Sequence, residues 1–367
     1  MSDANANTPN LEFSTIDLIQ VVPTLKRPVK FLLDRFFPQI QVSETEFVAI
    51  DIDIGKRRIA PMVSPLVEGK LVEQRGRQLN MYKPPYIKDK RAPDLRKPVM
   101  RQIGERIGGG QLTGAEREMA NINFEMTDQV DMIDRRMEWM AACVLQTGQL
   151  VVSGEGFPTE VIDFGRDPSL TVALTGSKQW GVAANFDAEG FDPIPQQSIE
   201  RWQQRILRLS GAQATDIVFT TSSWSCFMNG SAMQGAIKFP TLNAAGNTIN
   251  PGAQIAPGAV YKGRWGQYDL WLYNEWYVDE DGMEQPMLED GSVIMAGPDL
   301  MGIRAFGMIM DPAFNYQSLA YAPKTWLRED PGQRMMMMQS SPLTIPSRVN
   351  ASLCAVVCAP LTDLEQD

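Results

Sequence analysis

An unusually long amphipathic helix is the strongest constraint in the sequence. Eight apolar residues recur three or four positions apart, which puts them on one helical face over more than six turns: Met119, Ile122, Met126, Val130, Ile133, Met137, Met140 and Val144. Thr113 and Glu116 form a capping box before the stripe, and Gly148 follows it, so we predict a helix over residues 114–146. At 1.5 Å per residue this helix spans roughly 50 Å, more than a compact domain ordinarily holds.

The helix is expected to be a spine that packs on a sheet. A coiled coil is disfavoured because the apolar stripe does not continue into further heptads. The opposite face of the helix is expected to carry the charged residues Glu118, Glu125, Asp128, Asp131, Arg135 and Glu138.

The remaining pattern mixes strands and helices. Short strands are predicted within residues 150–174, two more within 259–278, and several in the last third of the chain. Residues 193–210 predict an amphipathic helix that turns Ile199, Trp202, Ile206 and Leu209 inward, and residues 218–239 predict a strand and another helix. Met335 to Met338 favour a central strand covered on both faces over a soft-metal surface.

Composition excludes several classes of function. The chain contains no histidine, and so lacks the commonest general acid or base and the commonest metal ligand. The hydroxyls and thiol of Ser223, Ser225 and Cys226 therefore have no base to activate them, and we predict no catalytic residues, no metal site and no cofactor. A net charge of −10 argues against a protein that coats nucleic acid.

Cysteines and targeting signals also point away from an exported protein. Four cysteines include no CxxC pair, so buried free thiols are expected rather than disulfides or a metal site. The polar start MSDANANTPN is unlike a signal peptide, and no apolar run reaches the roughly 20 residues of a membrane span. We expect a protein made inside the cell, with no membrane partner.

Charge is concentrated in one segment. Residues 56–106 contain fourteen basic residues against five acidic ones, a net charge of +9 that leaves −19 on the rest of the chain. This basic arm on an acidic body predicts contact between copies of the chain. A solvated loop and a nucleic-acid contact are the alternatives, and interleaved carboxylates disfavour the second. Within the arm, the sequence around residues 71–79 predicts a long hairpin, which must lie on something else to bury a face.

Three consecutive glycines, Gly108, Gly109 and Gly110, precede the long helix. A phosphate-binding loop would need a lysine after the glycines and a strand before them, and the sequence has neither in place. We therefore predict a flexible hinge between the arm and the helix.

Seven segments in order along the chain resemble the major capsid proteins of tailed bacteriophages, in the lambda-type capsid E family. The resemblance covers nearly the whole chain, from about residue 13 to residue 360. Its motifs are LLDRFFP (32–38), FVAIDIDIGKRRIAPMVSPLVEGK (47–70), YKPPYIKDKR (82–91), RRMEWMAACVLQTGQLVVSGEG (135–156), YKGRWGQYDLWLYNEWY (261–277), IMAGPDLMGIRAFGMIMD (294–311) and PKTWLREDPGQRMMMMQSSPL (323–343).

This resemblance implies an α+β, HK97-type capsid fold. Its parts would be an N-terminal arm, an extended E-loop hairpin, a P-domain that contains the long spine helix, and an A-domain. The implied boundaries are 1–50 for the arm, 51–105 for the E-loop and flanking strands, 106–184 for the P-domain, 185–325 for the A-domain, 326–346 for a P-domain return strand and 347–367 for a last A-domain strand and tail.

The same resemblance implies a structural, non-enzymatic protein of the virion, assembled in the host cytoplasm. Copies would form hexamers and pentamers of an icosahedral shell that encloses double-stranded DNA without sequence-specific binding. A separate scaffolding protein, a portal and a decoration protein are the implied partners; the first is expected because the arm starts too near Met1 to leave room for a fused scaffold. The hinge would let the E-loop tilt, and the expected inter-subunit contacts are Lys70, Arg75, Arg77, Lys88, Lys90 and Arg91.

Two alternatives share the fold. One is a capsid protein that crosslinks itself through a lysine and an asparagine; Lys70, Lys83 and Lys88 are the candidate lysines and Asn350 the candidate asparagine, and no motif singles out a pair. The other is an encapsulin-type shell of a cell, which would carry cargo in place of viral DNA.

Overall fold

A computed structural model gives the fold of this protein. The structure describes residues 30–53, 59–60, 62–66, 68, 77–93, 113–154, 156–181, 195–229, 248–256, 258–330 and 332–360. Within these ranges the chain is α+β, as predicted. The helices are α1 (Phe31–Phe36), α2 (Gly114–Thr147), α3 (Pro195–Ser210) and α4 (Thr221–Asn229).

The strands form one large sheet, two small sheets and three two-stranded ribbons. In chain order they are β1 (Gln39–Val42), β2 (Val48–Asp53), β3 (Arg77–Tyr82), β4 (Ile87–Arg91), β5 (Gln149–Gly154), β6 (Phe157–Asp163), β7 (Thr171–Ala173), β8 (Asp216–Phe219), β9 (Thr248–Ala256), β10 (Ala259–Trp265), β11 (Tyr268–Leu272), β12 (Trp276–Val278), β13 (Glu284–Pro286), β14 (Ser292–Ala296), β15 (Gly302–Phe306), β16 (Ala322–Arg328), β17 (Gln333–Ser340), β18 (Pro342–Pro346) and β19 (Leu353–Val356).

The predicted long helix is confirmed as α2. Thr113 accepts a hydrogen bond from the backbone N–H of Glu116, and the Glu116 carboxylate accepts one in return, so the capping box is present. Gly148 ends the helix in the left-handed region, at φ +75°. The stripe from Ile122 to Val144 is buried, and its first member, Met119, is exposed. The prediction for Glu138 was wrong, because this residue is 5% exposed and lies inside the protein.

The large sheet has seven strands in the order β7-β19-β14-β8-β11-β10-β9. It is mixed: β8 pairs with β11 in parallel and with β14 in antiparallel orientation. Every residue of β8 and β14 is buried, as expected for central strands covered on both faces. The predicted helix 193–210 is confirmed as α3, whose Trp202 stacks on Trp180 at 5.7 Å between ring centroids.

Two smaller sheets flank α2. The methionine-rich strand β17 lies at the centre of the order β16-β17-β4, as predicted, and β18 follows after Ser341 to join the order β1-β15-β18. Met336 and Met338 are buried and α2 contacts β17, so these two methionines are part of the core.

Two details of the sequence prediction need correction. Residues 218–239 were expected to give a strand followed by a later helix, but the helix α4 already begins at Thr221; the second part of that segment lies outside the described residues. All four cysteines are free thiols, but only Cys354 and Cys358 are buried, whereas Cys143 and Cys226 are partly exposed.

No helix within the described ranges combines the length and the apolarity that crossing a membrane requires.

The end of α2 provides a test of this packing. A Cβ added to Gly148 would lie 2.5 Å from Arg166 Cβ, and the Arg166 guanidinium is held by the carbonyls of Leu145 and Leu170 at 2.8 and 2.7 Å. We expect Gly148→Ala to lower the free energy of unfolding of the isolated subunit by about 3 kcal/mol, through backbone strain and overlap together. Urea unfolding measures it.

Gly165→Ala is the matched control, since Gly165 has φ +72° and open space around its Cβ position. Strain alone should then cost about 1–2 kcal/mol. Equal losses in the two variants would contradict the close packing of Arg166 on Gly148.

Candidate inter-subunit surfaces

The basic arm leaves the body through a two-stranded ribbon. Strands β2 and β3 pair in antiparallel register from Val48 with Tyr82 to Asp53 with Arg77. At the base of the ribbon Val48 and Tyr82 are buried, and the Tyr82 ring lies 5.2 Å from that of Phe164. Residues 77–79 of the predicted hairpin therefore pair with residues 51–53, earlier in the chain, and residues 71–76 lie outside the described residues.

Beyond the stem, the arm exposes large apolar side chains. Ile59, Met62 and Leu66 are 94%, 101% and 95% exposed. Burying one such side chain contributes about 1.5–3 kcal/mol, so leaving three of them in water is unfavourable unless another surface covers them. Within the described residues of the same chain, nothing covers them.

The six predicted contact residues do not share one environment. Lys70 and Arg75 lie outside the described residues, as do Gly108, Gly109 and Gly110 of the predicted hinge. Arg77 is the first residue of β3, and the structure describes its backbone but not its side chain. The other three residues, Lys88, Lys90 and Arg91, lie on β4, which pairs with β17 of the body.

Arg91 is engaged inside its own chain. Its guanidinium contacts Asp89 at 2.9 Å, Glu125 at 3.0 Å and Asp128 at 2.6 Å, the last two on α2. These carboxylates hold the pKa of Arg91 above its usual value, although partial burial opposes the rise. Arg91 therefore fastens β4 to α2 within the subunit.

Lys88 and Lys90 have a different setting. Both are exposed, and their ammonium groups lie over the rings of Tyr86 and Trp326, 5.2 and 5.5 Å from the ring centroids. Exposed cation–π contacts of this kind contribute about 0.5–1 kcal/mol, which biases where each ammonium group lies while the lysines remain exposed. Of the predicted contacts with described side chains, these two are exposed, whereas Arg91 is partly buried.

Sequence reasoning missed a polar junction inside the subunit. Both oxygens of Glu138 accept backbone N–H groups at the start of α1, from Leu32 at 2.8 Å and from Leu33 at 3.0 Å. Tyr273, which follows β11, donates its hydroxyl to the same carboxylate at 3.0 Å. Glu138 thus caps the first turn of α1 and ties it to both α2 and the large sheet.

A second carboxylate lies one helical turn earlier. Asp134 is fully buried, pairs with Lys30 at 2.6 Å and accepts the hydroxyl of Tyr321. A buried ion pair is costly to break from one side, so this contact fixes where the chain enters α1. The sequence offered one signal for this junction: Asp134 and Glu138 are four residues apart and lie next to the apolar stripe.

Ser223, one of the hydroxyls predicted to be structural, has hydrogen-bond partners within the fold. Ser223 Oγ donates to the carbonyl of Ser292 at 2.8 Å, and it accepts the backbone N–H of Thr220 at 2.9 Å. Among the described residues, no group of histidine, cysteine or carboxylate side chains is arranged to hold a metal ion.

These features together define the subunit of a shell: an α+β body built on one long helix, with a projecting ribbon whose apolar side chains need another surface. Solved structures show that the fold is that of HK97-type phage capsid proteins. A putative capsid protein of a prophage of E. coli CFT073 superposes with a TM-score of 0.70 at 19% identity, covering 94% of this chain and 99% of that one. The capsid of Ralstonia phage GP4 gives 0.53 at 11% identity, with 92% and 94% covered.

Within that class, the chain belongs to the family Phage major capsid protein E, whose model matches residues 14–357. It is similar to the major capsid protein of Escherichia phage lambda, with 26% identity over 84% of this chain and 89% of the relative. The major capsid protein of Enterobacteria phage P21 is 26% identical, over 89% and 94%. The protein is a non-enzymatic structural component of the virion, the major capsid protein of a tailed-phage head, and its copies form the shell.

The buried Glu138 predicts a pH effect on the unassembled subunit. Burial raises its pKa from 4.5 to about 7, and the hydrogen bonds from Leu32, Leu33 and Tyr273 offset only part of the rise. Between these values the folded state holds the proton more tightly than the unfolded state, so this contribution is present below pH 4.5 and is lost as the pH rises through 7. Its size is on the order of 3 kcal/mol.

Glu138→Gln removes the titration. We therefore expect urea unfolding at pH 5 and pH 8 to show a smaller stability difference in this variant than in the unsubstituted subunit. Glu160→Gln, at an exposed position on β6, is the control and should leave the difference unchanged. An unchanged difference in Glu138→Gln would contradict a raised pKa at this site.

Proposed function

We propose that copies of this chain assemble into hexamers and pentamers, and that these close an icosahedral head around double-stranded DNA. Two properties of the arm carry the proposal. Ile59, Met62 and Leu66 expose apolar side chains to solvent, and the segment that contains them has a net charge of +9. The rest of the chain carries −19, so the arm of one copy finds opposite charge and apolar cover on the next.

The parts of the fold would divide as the family resemblance implies. Helix α2 would be the spine of a P-domain, β17 its return strand, and the large sheet with α3 and α4 most of an A-domain. The arm would be the E-loop, and Gly108 to Gly110 the hinge on which it tilts to fit positions that are not identical in a closed shell. Lys70, Arg75, Arg77, Lys88 and Lys90 would be contacts to neighbouring copies.

The net charge of −10 supports a shell that does not bind its contents tightly. Subunits of net negative charge repel DNA phosphates, so packaged DNA would be held without sequence-specific binding and would move during filling and ejection. A separate scaffolding protein, a portal and a decoration protein are proposed as partners on the family resemblance.

Reversing charge on the arm tests the proposal. The double variant Arg75→Glu and Arg77→Glu should remain a folded subunit but fail to form shells, because the net charge of its arm falls from +9 to +5 and the two new carboxylates would face an acidic neighbour. Circular dichroism checks the fold, and sedimentation with electron microscopy counts the particles.

The control variant is Arg264→Glu with Arg328→Glu, which makes the same change in net charge at exposed positions of the body. It should assemble normally. Heads of normal number and size from the arm variant would refute the role of these arginines.

We further propose that non-covalent contacts alone hold the shell. Two of the residues considered for a crosslink have partners inside the subunit: Lys83 pairs with Glu46 at 2.6 Å, and the Asn350 side-chain oxygen accepts the backbone N–H of Asp167 at 2.8 Å. Mature particles run on a denaturing gel should therefore give the capsid protein as a monomer band at 40.9 kDa, with no ladder of its multimers. A ladder of multimers would show that the subunits crosslink.

A further inference from the structure

A second exposed ribbon lies on the body, formed by β12 and β13. Trp276 pairs with Pro286 and Val278 with Glu284, so these four side chains share one face. Trp276 and Val278 are 58% and 61% exposed, and Met283 in the connecting turn is 62% exposed. A two-stranded ribbon has no core of its own, and this one turns its apolar side chains to solvent.

The ribbon is fixed in place at both ends by the spine helix. At its base, Gln146 donates to the carbonyl of Met287 at 3.1 Å and accepts the N–H of Glu289 at 3.3 Å. At its tip, Arg136 pairs with Glu280 at 2.8 Å. Ten residues of helix separate Arg136 from Gln146, or about 15 Å. The ribbon therefore lies along α2 as a preformed surface.

The same ribbon is strongly acidic. Residues 275–290 contain seven carboxylates and no lysine or arginine. The exposed ones are Glu275, Glu280, Asp281, Glu284 and Glu289. Among these five, the ion pair that the described residues show is the one between Glu280 and Arg136. The apolar face is thus surrounded by negative charge, a surface that selects a partner that is apolar and basic.

The arm is such a partner. It exposes Ile59, Met62 and Leu66, and Lys56, Arg57 and Arg58 immediately precede them in the sequence. Because the apolar side chains of the arm and of the ribbon are exposed in the same subunit, the two surfaces do not cover each other within one chain.

We propose that the β12–β13 ribbon is the docking surface for the arm of a second copy of this chain. The inference rests on the proposed function, in which the arm contacts a neighbour. It adds the surface of the neighbour to which the arm binds. Trp276, Val278 and Met283 cover the arm's apolar residues, and the carboxylates around them face its basic residues. A large exposed aromatic residue at the centre of such a patch is the usual energetic anchor of an interface.

Site-directed crosslinking tests the contact. Subunits with Met62→Cys and subunits with Met283→Cys are mixed, assembled and treated with a short bismaleimide. A covalent dimer on a denaturing gel is expected from assembled particles and not from unassembled subunits. The matched control replaces Met283→Cys with Val161→Cys, on the exposed face of the β5–β6 ribbon. Unsubstituted protein treated in the same way gives the background from Cys143 and Cys226.

A dimer band about ten-fold stronger for the 62–283 pair than for the 62–161 pair is the predicted result, since a docked thiol acts at a high effective concentration. Equal bands, a stronger band from the control pair, or no 62–283 band from intact particles would overturn the assignment.

Substitutions on the ribbon supply an independent measurement. Trp276→Ser should raise the subunit concentration required for assembly by about ten- to thirty-fold, as expected for an interfacial tryptophan. Asp281→Lys with Glu284→Lys should also impair assembly, and Arg57→Glu with Arg58→Glu in the same chain should restore part of it. Normal assembly of Trp276→Ser, or no rescue in the combined variant, would contradict docking at this ribbon.

Separate variants test whether the arm is required for assembly and where it docks. If the variant with Arg75→Glu and Arg77→Glu forms normal heads, the proposed role of the arm is refuted. If that variant fails to assemble while the ribbon variants assemble normally, the arm is required but docks elsewhere on its neighbour.

Discussion

Burial of one face of α2 is the constraint on which the rest of the subunit depends. The stripe from Ile122 to Val144 is covered from several sides, because α2 contacts α1, the β5–β6 ribbon, the large sheet through β19, and both small sheets through β17 and β18. The hydrophobic effect supplies most of the stability of such an arrangement. Two buried carboxylates, Asp134 and Glu138, make this packing specific, because they hold the start of α1 at one place on the helix.

The subunit leaves apolar surface uncovered when it is alone. The arm and the β12–β13 ribbon expose apolar side chains that no described part of the chain covers. In a protein that acts as a monomer this would favour aggregation. We propose that in the shell these apolar side chains become buried against neighbouring copies, that this burial contributes free energy to assembly, and that opposite charges restrict which surfaces meet.

Local sequence rules predicted those parts of the fold that local forces determine. The capping box at Thr113, the apolar stripe and Gly148 define α2 without reference to any other element, and alternation or continuous apolar runs mark the main strands. Contacts between distant residues could not be read in this way. Glu138 was assigned to solvent because the backbone N–H groups that it accepts lie 105 and 106 residues away. For the same reason the pairing of β3 with β2 was missed, and so were the contacts of Arg91 with Glu125 and Asp128 of α2.

A cryo-EM map of the assembled particle is the most direct test of the central claim that the subunit completes its burial with its neighbours. The account predicts that Ile59, Met62 and Leu66 of each copy are covered by an adjacent subunit, with the arm crossing the boundary between the two. A map in which the arm folds back on its own body, or stays in solvent in a fully assembled shell, would contradict it.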